Sequence, residues 1–165
     1  MSERRTVAVI GAGYWGPNLV RNFRNSPDWD LVAVCDLDAE RAARVIGSRS
    51  TIEVETSVER LLARPDLDAV AIATPARTHA PLAIAALEAG KHVLVETPLA
   101  DTVEDAERMI AAAEKADRVL MIDHTFCYTP AVSAIRDAIA DGVLGDQGGG
   151  VHRHPPAGRP RPDRL

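Results

Sequence analysis

Hydrophobic positions along the chain follow two alternating patterns. Runs of consecutive apolar residues at 7–10, 31–35, 69–73, 92–95 and 119–122 read as strands buried on both faces, because an unbroken run leaves no side to turn to water. Between them, residues 16–25, 39–46, 58–63, 79–89 and 103–116 carry apolar side chains at helical spacing. A weaker strand at 52–55 and a last helix at about 130–141 complete the series. Asp101 or Thr102 is placed to cap the fifth helix, with Glu104 and Asp105 in its first turn, and Gly90 to close the fourth. Alternation of this kind predicts an α/β fold, a doubly wound parallel sheet joined by right-handed helical crossovers.

Composition narrows the picture. A chain of 165 residues with 46% hydrophobic and 26% charged side chains suits a globular domain, not a disordered or disulfide-stapled chain. Its net charge of −5 gives no basic footprint for nucleic acid. No segment nears the ~20 apolar residues of a membrane span, and the first residues lack the apolar core of a signal peptide, so no membrane partner and a cytoplasmic location are expected. Cys35 and Cys127 have no paired spacing and are expected to be buried, reduced thiols, with no metal site. Charge is distributed unevenly: residues 1–150 carry −8 and the last fifteen +3. Those fifteen hold four Pro, four Arg and no periodic apolar face, so residues 147–165 are expected to form a disordered tail, in which His152 and His154 lack a scaffold for metal or catalysis.

The first strand runs into Gly11-Ala12-Gly13-Tyr14-Trp15-Gly16 and then into a helical pattern. In this context G-x-G-x-x-G has a mechanism. Gly11 makes the tight turn, Gly13 lets a pyrophosphate approach the backbone, and Gly16 lets helix and strand pack closely while free N–H groups face the anion. Asp36 follows at the end of the second strand, 20 residues after Gly16, where a carboxylate can accept hydrogen bonds from the adenosine ribose hydroxyls. Such a carboxylate repels a 2′-phosphate, so NAD is expected over NADP. The alternative is that the glycines only form a turn and Asp36 only caps the next helix. Residues 1–146 are thus read as a dinucleotide-binding domain of the NAD(P)-binding Rossmann type.

Three further segments, GAGYWGPN, TPARTHAPLAIAALEAGKHVLVETPLA and HTFCYTPAV, resemble the Gfo/Idh/MocA oxidoreductases over about residues 5–146. The resemblance implies a nicotinamide-dependent dehydrogenase of a sugar, cyclitol or nucleotide-sugar, with an amino-terminal Rossmann domain and a carboxy-terminal domain that closes over the substrate. It implies that Gly11, Gly13, Tyr14, Trp15 and Gly16 meet the pyrophosphate and nicotinamide side and Asp36 the adenosine ribose. Thr74, Pro75 and His79 would line the coenzyme cleft, and Glu96 and Thr97 would stand beside the nicotinamide ribose. Trp15 as packing between helix and sheet, and His79 as a helix cap, are the competing structural readings.

The sequence departs from that pattern twice. Where the family has Glu-Lys-Pro, this chain has Glu96-Thr97-Pro98, and threonine cannot supply the cation that polarises the reacting carbinol. Lys91, at the start of the same strand, is expected at the opposite edge of the sheet, since a strand rises ~3.3 Å per residue. No catalytic residue is therefore assigned. The family also continues into a substrate domain, whereas this chain turns to Pro and Arg. Read one base later from Asp146, the back-translated chain permits Ile-Arg and a strand-like stretch. Seventeen Arg against two Lys suit a GC-rich coding region, so a one-base frameshift is the expected origin of the tail. The expectation is a coenzyme-binding half that takes a small sugar-like substrate only if the second domain is supplied, or an inactive nucleotide-binding relic. Apolar surface uncovered by the loss would favour self-association.

Overall fold

Six strands, β1 (Arg5–Ile10), β2 (Trp29–Cys35), β3 (Glu53–Glu55), β4 (Ala69–Ile72), β5 (His92–Val95) and β6 (Leu120–Ile122), form one parallel sheet in the order β3-β2-β1-β4-β5-β6. The computed structural model describes residues 4–48, 50–143 and 145. They divide into two compact units, one ending at His124 and the other beginning at Thr125. The sheet belongs to the first, with α1 (Gly16–Asn25), α2 (Ala39–Ile46), α3 (Val58–Leu62), α4 (His79–Glu88) and α5 (Val103–Ala116) as crossovers. In the second unit a 3₁₀ turn at Thr125–Tyr128 leads to α6 (Pro130–Ala140), whose N-terminus is capped by the Thr129 hydroxyl. The expected tail, with His152 and His154, lies outside the described residues.

Successive strand residues serve opposite faces of the sheet, as the pleat requires. Ala8 and Ile10 join Leu61, Leu87 and Met109 from α3, α4 and α5, whereas Val9 joins Leu19 and Val20 of α1 and Ala42 and Ile46 of α2. Both faces are therefore covered, and the unbroken apolar runs follow from that. Every expected element is present, with no end moved by more than two residues. The longest shifts are at the starts of β1 and β2, where Arg5 pairs with Trp29 and Thr6 with Asp30 through the backbone although Arg5, Thr6 and Asp30 are polar.

Local signals resolve as physics prefers. Thr102, not Asp101, caps α5 by accepting the Asp105 N–H at 3.1 Å. Gly90 follows the last turn of α4 with φ of +78°, a conformation a side chain would strain. Cys35 is buried, but the expectation that Cys127 is buried fails. It sits on the 3₁₀ turn, no residue of which is buried. Among the described residues no helix is long and apolar enough to cross a membrane, and no cluster of three or more His, Cys, Asp or Glu could hold a metal.

Lys91 lies at the amino-terminal edge of the sheet, as its place in the strand predicts. Buried, its ammonium donates to the carbonyls of Arg64 at 2.7 Å and Leu67 at 2.9 Å, tying the α3–β4 connection to the start of β5. Lys91→Met keeps the apolar stem and strands both acceptors. We expect it to cost about 1–3 kcal/mol of folding stability, read from the midpoint of urea denaturation. An unchanged midpoint would show that the two carbonyls find other donors.

Candidate functional site

At the carboxyl edge the backbone ladder continues one residue past the strands. Asp36 N–H donates to Glu55 O at 3.0 Å, Gly11 to Cys35 at 2.8 Å, Ala73 to Ile10 at 2.8 Å, Glu96 to Ile72 at 2.9 Å and Asp123 to Val95 at 2.8 Å. These bonds fix five loop starts in one row, and β1 is where the strand order reverses, with β2 on one side and β4 on the other. Ligands of open α/β sheets bind in the crevice at such a point.

The glycine loop is built for close approach. Gly11 has φ of +100°, and a Cβ there would stand 2.8 Å from Ala73 O. At Gly16 a Cβ would overlap the Gly11 carbonyl, so helix α1 can start only on a glycine. A Cβ at Gly13 would meet nothing within 4 Å, so here the open side faces outward, where a ligand would come. Tyr14 is 96% exposed and Trp15 40%, their rings tilted 6.5 Å apart. Trp15 thus packs with part of its ring and leaves part of it open at the start of α1.

Asp36 has a definite task within the loop. Its Oδ2 accepts the Ala12 N–H at 2.7 Å, its Oδ1 accepts the Asp38 N–H at 2.9 Å, and Arg41 lies 3.5 Å from Oδ1. The cap of α2 is Asp38, which accepts the Arg41 N–H at 3.0 Å, so Asp36 does not cap that helix. Each Asp36 oxygen has a second lone pair, leaving acceptor capacity for hydroxyl groups. Cys35 beside it is pushed up to about 11, first by burial and then by the charges of Glu55, Asp36 and Glu59, and stays a thiol.

Across the crevice, Thr74, Pro75 and His79 cluster on the β4–α4 connection. The Thr78 hydroxyl reaches the Thr74 hydroxyl and the Pro75 carbonyl, both at 2.7 Å. His79 is only 1% exposed, with its ring nitrogens 2.8 Å from the carbonyls of Pro98 and Thr74. It joins the loops after β4 and β5 and does not cap α4 with its ring.

Glu96 leads off the β5 loop, half-buried, while Thr97 beside it is exposed. Burial first, then the charge and hydrogen bond of Asp123, push Glu96 up to about 7, against weaker pulls from the Thr97 N–H and Trp15. Its Oε1 is buried without a hydrogen-bond partner. Asp123 and Arg41 are the residues that sequence reasoning missed. Asp123 was findable from register, because Val95 pairs with Ile122 and the next residues on both strands are acids.

These features fit a dinucleotide: an open glycine cradle at the reversal point and an unsatisfied buried acceptor at the far side of the crevice. Comparison with known proteins agrees. Residues 5–124 match the model of the Gfo/Idh/MocA oxidoreductase family, NAD-binding Rossmann fold. The chain is 42% identical over 137 residues to 1,5-anhydro-D-fructose reductase of Ensifer adhaerens, covering 83% of this chain and 41% of that one. Its fold matches GenD2 from gentamicin A biosynthesis in complex with NAD, with TM-score 0.81 and 34% identity over 87% of this chain and 41% of that one. It also matches a mutant of a 3-ketoreductase from Actinomadura kijaniata in complex with TDP-benzene and NADP, with TM-score 0.78 and 33% identity over 87% and 46%. The chain spans less than half the length of the relatives it matches. It belongs to the Gfo/Idh/MocA oxidoreductases and corresponds to their NAD-binding Rossmann domain.

Proposed function

We propose that this chain is the coenzyme-holding half of an NAD-linked dehydrogenase of a sugar-like alcohol, and that by itself it binds the dinucleotide without turnover. The observation that carries the reading is the glycine loop held open by Asp36 through the Ala12 amide. Gly11 and Gly16 shape the loop so that the amides from Gly13 to the start of α1 face the pyrophosphate, with Tyr14 and Trp15 beside it. Asp36 accepts from the adenosine ribose, and its charge favours NAD. Thr74 and Pro75 line the cleft, and His79 acts on it by tying their loop to Pro98. Glu96 accepts from the nicotinamide ribose through Oε1, next to Thr97. When bound, the nicotinamide supplies a hydride acceptor for the carbinol carbon. The Thr97 hydroxyl carries no charge to polarise the substrate oxygen, so fast turnover needs groups beyond these.

Titration of the purified chain with NADH, followed by nicotinamide fluorescence, should saturate. The same preparation should not oxidise sugars or cyclitols with NAD. Turnover would refute the claim that this half is insufficient, and absence of binding would refute the coenzyme role. Asp36→Ser removes the charge that opposes a 2′-phosphate and one of the two carboxylates that Arg41 pairs with, the other being Asp38, so that its guanidinium can turn to the phosphate. Preference between coenzymes should then move toward NADP by about tenfold or more, and an unchanged ratio would contradict the role given to Asp36.

Glu96 also gives the fold a pH signature. Its ordinary value of 4.5 rises to about 7 in the folded chain, so folding favours the protonated form. That contribution is full below the ordinary value and is lost as pH rises through about 7. Glu96→Gln, a neutral mimic, should therefore flatten the fall in melting temperature between pH 5 and pH 8. Parallel curves for both proteins would contradict the raised value.

A further inference from the structure

The ends of β5 and β6 bring two acids together by strand register alone. Val95 is paired with Ile122, and the ladder bond from Asp123 N–H to Val95 O sets Asp123 beside Glu96. After burial, the charge and hydrogen bonding of this neighbouring Asp123 are what push Glu96 up to about 7. Two carboxyl groups set side by side in a half-buried place disfavour a second negative charge, so the pair keeps one shared proton. The Thr97 N–H and Trp15 pull the other way, toward the ionised form, and Oε1 of Glu96 is buried and unsatisfied. The other titratable groups nearby are placed differently. His79 faces two backbone carbonyls, Arg77 is exposed on its 3₁₀ turn, and His124 is exposed after Asp123.

We propose that the Glu96–Asp123 carboxyl pair senses the charge of the nicotinamide ring, releasing its shared proton to solvent when the cationic, oxidised coenzyme binds and keeping it when the neutral, reduced coenzyme binds. The inference rests on the coenzyme reading above and adds to it a discrimination between redox states. Its chemistry balances: one pair with one proton goes to two carboxylates and one proton in solution, with no electron moved. A cation beside the pair compensates the second negative charge, and ribose hydroxyls are donors that prefer an ionised Glu96. A neutral ring offers no such compensation. Asp123 is thus a positioning residue that sets the charge of Glu96.

Calorimetry of the full chain with NAD⁺ and with NADH, in two buffers of different ionisation enthalpy at pH 6, counts the protons. Release approaching one per NAD⁺ is expected, with NAD⁺ affinity rising by up to about tenfold per pH unit below pH 7, and little release with NADH. Equal release for both coenzymes, or none for either with binding intact, overturns the inference and leaves the coenzyme reading standing. Failure to bind either coenzyme overturns both. Asp123→Asn keeps a side chain of the same shape but removes the shared acid, so binding should persist with the NAD⁺ proton release and pH slope lost. Without coenzyme, Trp15 reports on the pair directly. The tryptophan emission should titrate near neutral pH and lose that transition in Asp123→Asn, and a transition that survives the substitution assigns the proton elsewhere.

Discussion

One charge-assisted hydrogen bond organises the crevice: the carboxylate of Asp36, at the end of β2, holds the amide of Ala12, inside the loop that follows β1, at 2.7 Å. A bond of this kind is worth about 1.5–3 kcal/mol and is directional. It fixes the chain just before Gly13, so the open side of that glycine faces outward and does not collapse onto the sheet. The overlap that any Cβ at Gly16 would make with the Gly11 carbonyl fixes the other end of the loop. Between these constraints the start of α1 can present its amides only toward the crevice. The acid proposed to hold the adenosine ribose is therefore also the acid that shapes the pyrophosphate cradle.

Charge at the two edges of the sheet follows from the same burial logic. At the amino edge, the buried Lys91 is satisfied by two backbone carbonyls and serves the fold. At the carboxyl edge, Glu96 keeps a buried oxygen unsatisfied and shares its neighbourhood with a second acid. An unmet acceptor is a cost that a purely structural carboxyl would not retain, and it stands opposite the glycine loop that fits the remainder of a dinucleotide. Strand register makes this possible at little expense: the ladder that builds the sheet also aligns the residues just beyond it.

How much of this could be read from the chain depends on the range of the interaction. The glycine loop was legible because its spacing is local, with Gly11 and Gly16 answering steric demands of the fold, and the buried strands because both sheet faces are covered. Asp36 was legible by spacing, but its first partner was not: the Ala12 amide comes within reach only when the loop folds back over β2. Glu96 entered through resemblance to a family, and Asp123 was passed over because an acid after a strand means nothing until the neighbouring strand's register is known. His79 was read as lining the cleft, and its two carbonyl partners belong to loops that only the sheet order brings together. The expectation for Cys127 failed because redox state says nothing about burial in a short turn.

In the proposed complex a dinucleotide lies along the carboxyl edge, from Asp36 across the glycine loop to Glu96. Backbone and indole ¹⁵N–¹H NMR of the folded chain during addition of NAD tests it most directly. Large shifts are expected at the amides of Ala12 and Gly13 and at the Trp15 indole, with the resonances around Lys91 at the far edge unmoved. Shifts confined to the Lys91 edge, or none at saturating coenzyme, would contradict it.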